Sequence, residues 1–212
     1  MTSVYGKTKF EFIEKKSRFI GLLFHVKTQD DIENKLTYCK EKYPNANHYV
    51  YAYILDNKVQ KASDDGEPQR TAGYPILDIL NKNQLNDVLA VVIRYFGGIK
   101  LGAGGLIRAY SHSIAESIKK ATFIEKVTSY YCKFITDYDH LGDIDKIIRE
   151  NTKLEKVNYD KKISFFFYLN NHNFKTIKQT LFNHNDYKDS LEILEEKQVY
   201  AKVIGWDTQT VK

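Results

Sequence analysis

Residues 94–108 read Arg94-Tyr95-Phe96-Gly97-Gly98-Ile99-Lys100-Leu101-Gly102-Ala103-Gly104-Gly105-Leu106-Ile107-Arg108, and they join two segments of opposite character. Before them, Val88 to Ile93 is a near-continuous apolar run, the pattern of a strand buried on both faces. After them, Ile107, Tyr110, Ile114, Ile118 and Ala121 recur at 3-4-4-3 spacing, which predicts a helix ending near Ala121 with those residues facing the core. Five of the eleven glycines fall within positions 97–105, so the connection is a tight glycine turn. Glycine there permits positive φ and the close approach of another backbone or a ligand. The helix N-terminus beyond it offers unpaired N–H groups and a partial positive charge, both suited to a phosphate.

Two nucleotide motifs fail on spacing. A P-loop needs Lys and Ser/Thr after its last Gly, and Gly97-x4-Gly102 is followed by Ala103-Gly104. A dinucleotide fingerprint starting at Gly102 needs a small residue at 107 and meets Ile107. The turn is therefore either a close-packed strand-to-helix connection or an anion site formed by Gly97, Gly98, Gly102, Gly104 and Gly105. Arg94, Lys100 and Arg108 flank it, and Arg108, His112 and Lys119 share a helix face away from the core stripe. Such a basic stripe suits either a phosphate footprint or a solvated face.

Upstream, Arg18 to Val26 reads as a strand, and Thr28 with Asp31 forms a capping box for a helix with Ile32, Leu36 and Cys39 on its apolar face. Tyr49 to Leu55 reads as a strand returning through Asp56-Asn57 to Val59. Its Tyr49, Tyr51 and Tyr53 share a face, either exposed for base stacking or packed under helices. His48 at the strand start is a candidate ligand contact or a structural residue. Ser63-Asp64-Asp65-Gly66-Glu67-Pro68 is a loop with three carboxylates, able to hold a hard cation, to serve acid/base chemistry, or simply to bond nearby backbone N–H groups. Arg70 lies just beyond it, and Pro75 starts a short helix through Leu80.

After Ala121 the periodicities run strand (129–136), helix (141–151), strand (154–159), strand (163–169), helix (174–184), strand (191–204), the β-α-β-β-α-β order of a ferredoxin-like domain. The fold class expected is α+β in two domains, 1–126 and 127–212. Residues 1–127 carry 19 Lys/Arg against 14 Asp/Glu, and 128–212 carry 13 against 13, so the net charge of +5 belongs to the first half. Cys39 and Cys132 are too few and too far apart for a disulfide framework or a Cys-based zinc site. The first nineteen residues carry seven charges and cannot be a signal peptide, and no stretch matches a membrane span, so a cytoplasmic protein without membrane contact is expected.

His48 with Tyr51-Ala52-Tyr53, the 63–68 loop, Thr71-Ala72-Gly73 with Pro75, and the turn from Arg94 through Arg108-Ala109-Tyr110 together resemble the YigZ/IMPACT family over most of residues 17–121. Ile93 stands where many members are expected to carry Thr. The resemblance implies a first domain of the ribosomal protein S5 domain 2 type, shared with domain IV of elongation factor G. It also implies a C-terminal ferredoxin-like domain similar to that factor's late domains. Eukaryotic members are translational regulators that act partly through an additional RWD-type N-terminal domain, for which no counterpart is expected here.

The leading expectation is a non-enzymatic protein that binds nucleic acid, either RNA or the ribosome, and regulates translation or a stress response. His48, Arg70, Arg94, Tyr95, Lys100, Arg108 and His112 are its candidate contacts. The alternatives are a nucleotide-binding or small-molecule enzyme, since small-molecule kinases share the S5-like fold, and a protein-interaction module. In the enzyme reading Asp64, Asp65 and Glu67, beside Ser63, supply magnesium or acid/base groups. No cofactor, resident metal or assigned catalytic residue is expected, and the oligomeric state is left open.

Overall fold

A computed structural model of the chain describes residues 2–56, 58–183 and 191–202. It is a mixed α+β structure whose described residues form two sheets and five α-helices. The described residues divide into two compact units, one spanning 2–125 and the other within 126–201. Among the described residues no helix is long and apolar enough to cross a membrane.

The first unit contains β1 (Thr2–Val4), β2 (Lys7–Glu14), β3 (Ser17–His25), α1 (Gln29–Lys42), β4 (His48–Leu55), β5 (Val59–Ser63), α2 (Gly73–Lys82), β6 (Val88–Tyr95) and α3 (Gly102–Lys119). The sheet order is β2-β3-β6-β4-β5, with every neighbouring pair antiparallel. Central strand β6 is apolar from Val88 to Ile93 because it feeds two cores. Val88, Ala90 and Val92 point into the core shared with α2 and α3. Leu89, Val91 and Ile93 point into the core shared with α1. The expected capping box on α1 is present: Asp31 N–H donates to Thr28 Oγ1 at 3.1 Å and Thr28 N–H to Asp31 Oδ2 at 3.0 Å. These bonds and that from the Lys27 N–H hold the Asp31 carboxyl below its ordinary pKa, the Lys27 bond most of all. The hairpin from β4 to β5 also forms, although Asn57 at its tip lies outside the described residues.

Helix α3 corrects the predicted stripe. Ile107 is 42% exposed, whereas Leu106, Ala109, Tyr110, Ser113, Ile114, Ser117 and Ile118 are buried. The reason is close packing on β3. A Cβ added at Gly21 would lie 2.7 Å from the Ser113 carbonyl oxygen, so the helix face there takes serines rather than large apolar residues. Their hydroxyls stay satisfied by donating back along the helix, Ser113 to Ala109 O at 3.0 Å and Ser117 to Ser113 O at 2.8 Å. The tyrosines of β4 are packed, not presented as an open row. Tyr53 is buried and donates to Gln29 Oε1 at 3.1 Å, Tyr49 donates to Tyr43 O at 2.6 Å, and Tyr51 stacks on Tyr53.

Strand β7 (Phe123–Thr136) begins in the first unit, where Phe123–Glu125 pair with β1. The second unit continues with α4 (Leu141–Asn151), β8 (Lys153–Tyr159), β9 (Ile163–Asn170), α5 (Asn171–Asn183) and β10 (Leu191–Lys202). β10 pairs with β7, which runs antiparallel to β9, which runs antiparallel to β8. Strict alternation sends Cys132, Phe134, Ile163, Phe165, Phe167 and Leu169 into one core with Ile144 and Ile148 of α4 and Ile177 and Leu181 of α5. The predicted ends of the last helix at His184 and the last strand at 203–204 lie outside the described residues.

Candidate functional site

The acidic loop and the glycine turn, 27 residues apart in sequence, meet at one ion pair. Arg94, at the end of β6, donates from Nη1 to Glu67 Oε1 at 2.6 Å. Arg94 is only 4% exposed, so this flank of the turn is withdrawn from water. Its guanidinium lies 5.4 Å from the ring centroids of both Phe19 and Phe96. The Tyr110 hydroxyl of α3 donates to the same Glu67 oxygen at 2.6 Å. Burial, reinforced by that bond to a carboxylate, pushes the Tyr110 hydroxyl far above its ordinary pKa, so it remains a donor.

His48 sits directly opposite Arg94 in the β4–β6 register. Its Nδ1 is 2.8 Å from the Asp65 carbonyl oxygen, a pure acceptor, so Nδ1 carries a proton. That leaves Nε2 on the side of Glu67, 3.8 Å from Oε1. The other loop carboxylates are occupied by backbone. Asp64 accepts the N–H groups of Arg70, Ala72 and Gly73 at 2.8, 3.1 and 2.8 Å, and Asp65 accepts that of Tyr49 at 2.6 Å. Ser63 Oγ accepts the Asp65 N–H at 3.3 Å.

The turn itself is held from two sides. Asn47 Oδ1 accepts the Phe96 N–H at 2.7 Å and Ser17 Oγ accepts the Gly97 N–H at 3.2 Å. Any side chain at Gly97 would collide with the Lys16–Ser17 backbone, so this glycine serves a close backbone crossing. Gly98 and Gly102 adopt positive φ, of 84° and 70°, while Gly104 and Gly105 lie within α3. No side chain caps the α3 N-terminus, and its first turn holds no acidic residue. It opens on a cleft of about 390 Å³ lined by His48, Glu67, Arg94, Phe96, Lys100 and Gly102, among others. Among the described residues, Arg94 Nε is buried without a hydrogen-bond partner. The cleft thus combines free backbone donors, one exposed lysine and a buried arginine, with a single carboxylate already neutralised.

The remaining candidates lie elsewhere. Arg108 and His112 line a separate groove of about 330 Å³ with Glu14 and Lys15. There the His112 ring stands edge-on to Phe10 and Phe12, at 5.6 and 4.9 Å. Arg70 lies over the Tyr74 ring at 4.8 Å, and Tyr95 donates to Pro44 O at 3.1 Å while packing on the α1 side of the sheet. Sequence reasoning missed Phe96, Ser17 and Tyr110 as parts of the site. Tyr110 was legible as a core residue, but only the fold shows that its hydroxyl meets Glu67.

Fold and cleft define a class: an α+β protein in which an Arg-Tyr-Phe-Gly-Gly turn seats a buried arginine beside a helix N-terminus. The Impact N-terminal domain model matches residues 15–118. The chain belongs to the IMPACT family. It is 41% identical over 162 residues to IMPACT family member YvyE of Bacillus subtilis (strain 168), covering 75% of each chain. It is 33% identical over 138 residues to IMPACT family member YigZ of Escherichia coli (strain K12), covering 63% of this chain and 68% of that one. Among solved structures, a crystal structure of a hypothetical protein matches with a TM-score of 0.57 and 26% identity, over 92% of this chain and 98% of that one.

Proposed function

We propose that the protein is a non-enzymatic RNA-binding protein that engages the ribosome and regulates translation, with the cleft at the start of α3 as its phosphate contact. In this reading the first domain, 1–126, is of the ribosomal protein S5 domain 2 type. The second, 127–212, is ferredoxin-like, resembling the late domains of elongation factor G, and the protein works in the cytoplasm. The observation that carries the proposal is the uncapped α3 N-terminus opening beside Lys100 and buried Arg94. Helix N-terminal N–H groups carry about half a positive charge, and the Arg94–Glu67 pair contributes no net charge against an incoming anion. Asp64 and Asp65 are spent on backbone N–H groups, which favours binding over magnesium or acid/base chemistry in the loop.

The test is ribosome and RNA binding measured against salt. Contact with three to five phosphates gives a log–log slope of about −0.7 per phosphate on single strands. Lys100→Glu is expected to weaken binding and flatten that slope by about one phosphate's worth. Absent or salt-independent binding, or binding indifferent to Lys100→Glu, would overturn the reading.

A further inference from the structure

The second unit has its own exposed feature, independent of the cleft. Cys132, Phe134, Phe165 and Phe167 are buried beneath α4 and α5, so their strand neighbours lie on the face that neither helix covers. That face carries Tyr131 on β7 and Phe166 and Tyr168 on β9, none of them fully buried. The register sets Tyr131 opposite Tyr168 and Lys133 opposite Phe166. On the far side it sets Lys153 opposite Tyr168 and Lys156 opposite Phe166. Directly opposed residues share a face, so these six side chains form one patch. The Tyr131 and Tyr168 rings stack at 4.8 Å, and Tyr131 lies 6.3 Å from Phe166.

Ammonium groups ring the aromatics. Lys156 Nζ lies 4.5 Å and Lys133 Nζ 6.0 Å from the Phe166 centroid, and Lys197 Nζ from β10 lies 4.7 Å from that of Tyr168. With Lys153 that makes four lysines, of which Lys197 stands 4.0 Å from the Glu195 carboxylate. Glu155 is bonded to the Tyr131 hydroxyl, and Glu195 lies close enough to act on it. The half of the chain that is neutral by count thus gathers positive charge on one sheet face.

Three rings on the two inner strands do nothing for the core beneath α4 and α5. Flat aromatic faces side by side, bordered by lysines, suit unpaired bases joined by phosphates. A base stacked on an exposed ring interacts more strongly than an exposed ammonium over the same ring, so the lysines would be displaced onto the phosphates. Glu155 and Glu195 would repel phosphate but can accept a hydrogen bond from a ribose 2′-hydroxyl, which DNA lacks. We propose that this sheet face is a platform for single-stranded RNA, with Tyr131, Phe166 and Tyr168 stacking bases and Lys133, Lys153, Lys156 and Lys197 meeting phosphates.

The test is fluorescence anisotropy of the full chain with a labelled oligouridine of about ten nucleotides at about 50 mM salt. Saturable binding is expected, with Phe166→Leu and Tyr168→Leu each weakening it about tenfold, since leucine keeps apolar bulk but offers no flat face. Lys40→Glu, an exposed change on the last turn of α1 outside both the cleft and this face, should leave this binding unchanged. No binding, equal binding to the matching DNA strand or to duplex RNA, or binding lost with Lys100→Glu but kept in the leucine variants, would each overturn the proposal. Should a leucine variant unfold, photocrosslinking of the unmodified chain to a 4-thiouridine oligonucleotide reads the same face. Adducts within 129–136 or 163–170 support the platform, and adducts confined elsewhere overturn it.

Discussion

Arg94 and Glu67 are an opposed pair withdrawn from water, and the pair's cost and benefit depend on both partners being present. Glu67→Ala strands the guanidinium in a buried site, and the expected loss is about 3–5 kcal/mol, read as a lower urea midpoint. Replacing all three together, as Glu67→Leu with Arg94→Met and Tyr110→Phe, is expected to recover most of that loss, because apolar side chains of similar size need neither counter-charge nor acceptor. At this scale the sequence was readable only in part. Arg94, Lys100 and the carboxylates stood out as residue types, but their burial did not. The partners lie 27 and 43 residues from Glu67, and only the β4–β6 register and the packing of α3 bring them together. His48 was the exception: its place at a strand start was legible, and it does line the cleft.

Helix α2 illustrates what the residues of an element reveal about it and what they leave hidden. Pro75 marks a short helix through Leu80, but Ala72 at the cap position has no side chain able to accept its first N–H groups. Asp64 does that from eight residues upstream, bonding Ala72 and Gly73 through one oxygen and Arg70 through the other. Asp64→Ala is therefore expected to cost about 1–2 kcal/mol, seen as a fall in Tm of about 2–4 °C per kcal/mol. Elements with regular alternation were the most legible. β9 and the last residues of β7, from Cys132 on, place every second residue in one core, and the Thr28–Asp31 box marks the start of α1 to the residue. Helix α3 was misread at Ile107 because buried serines carry no apolar signal, and their reason, the approach of Gly21, lies 92 residues upstream of Ser113. Strand β2 escaped because its alternation is written in lysine and glutamate on the outer side, as suits an edge strand.

The whole molecule carries one buried thiol in each unit, a natural pair of reporters. Burial pushes Cys39 up to about 12 and Cys132 up to about 11, so both stay protonated and shielded in the folded protein. Neither is expected to react with iodoacetamide at pH 8 under native conditions, and each should become reactive when its own core opens, as located by mass spectrometry along a urea series. Because the folded thiols hold protons that the unfolded chain loses, stability is expected to fall as pH rises above about 9, from the ordinary thiol value towards the two raised ones. The sheet of the first unit also implies an order of events during synthesis. β2 with β3, and β4 with β5, are hairpins that close locally, yet in the finished sheet β6 lies between β3 and β4. Until residue 95 has left the ribosome, at about 5–20 residues per second, the two hairpins wait with their inner edges unpaired. The first sheet can thus close only after its most apolar strand has emerged to join the two hairpins, each marginal on its own.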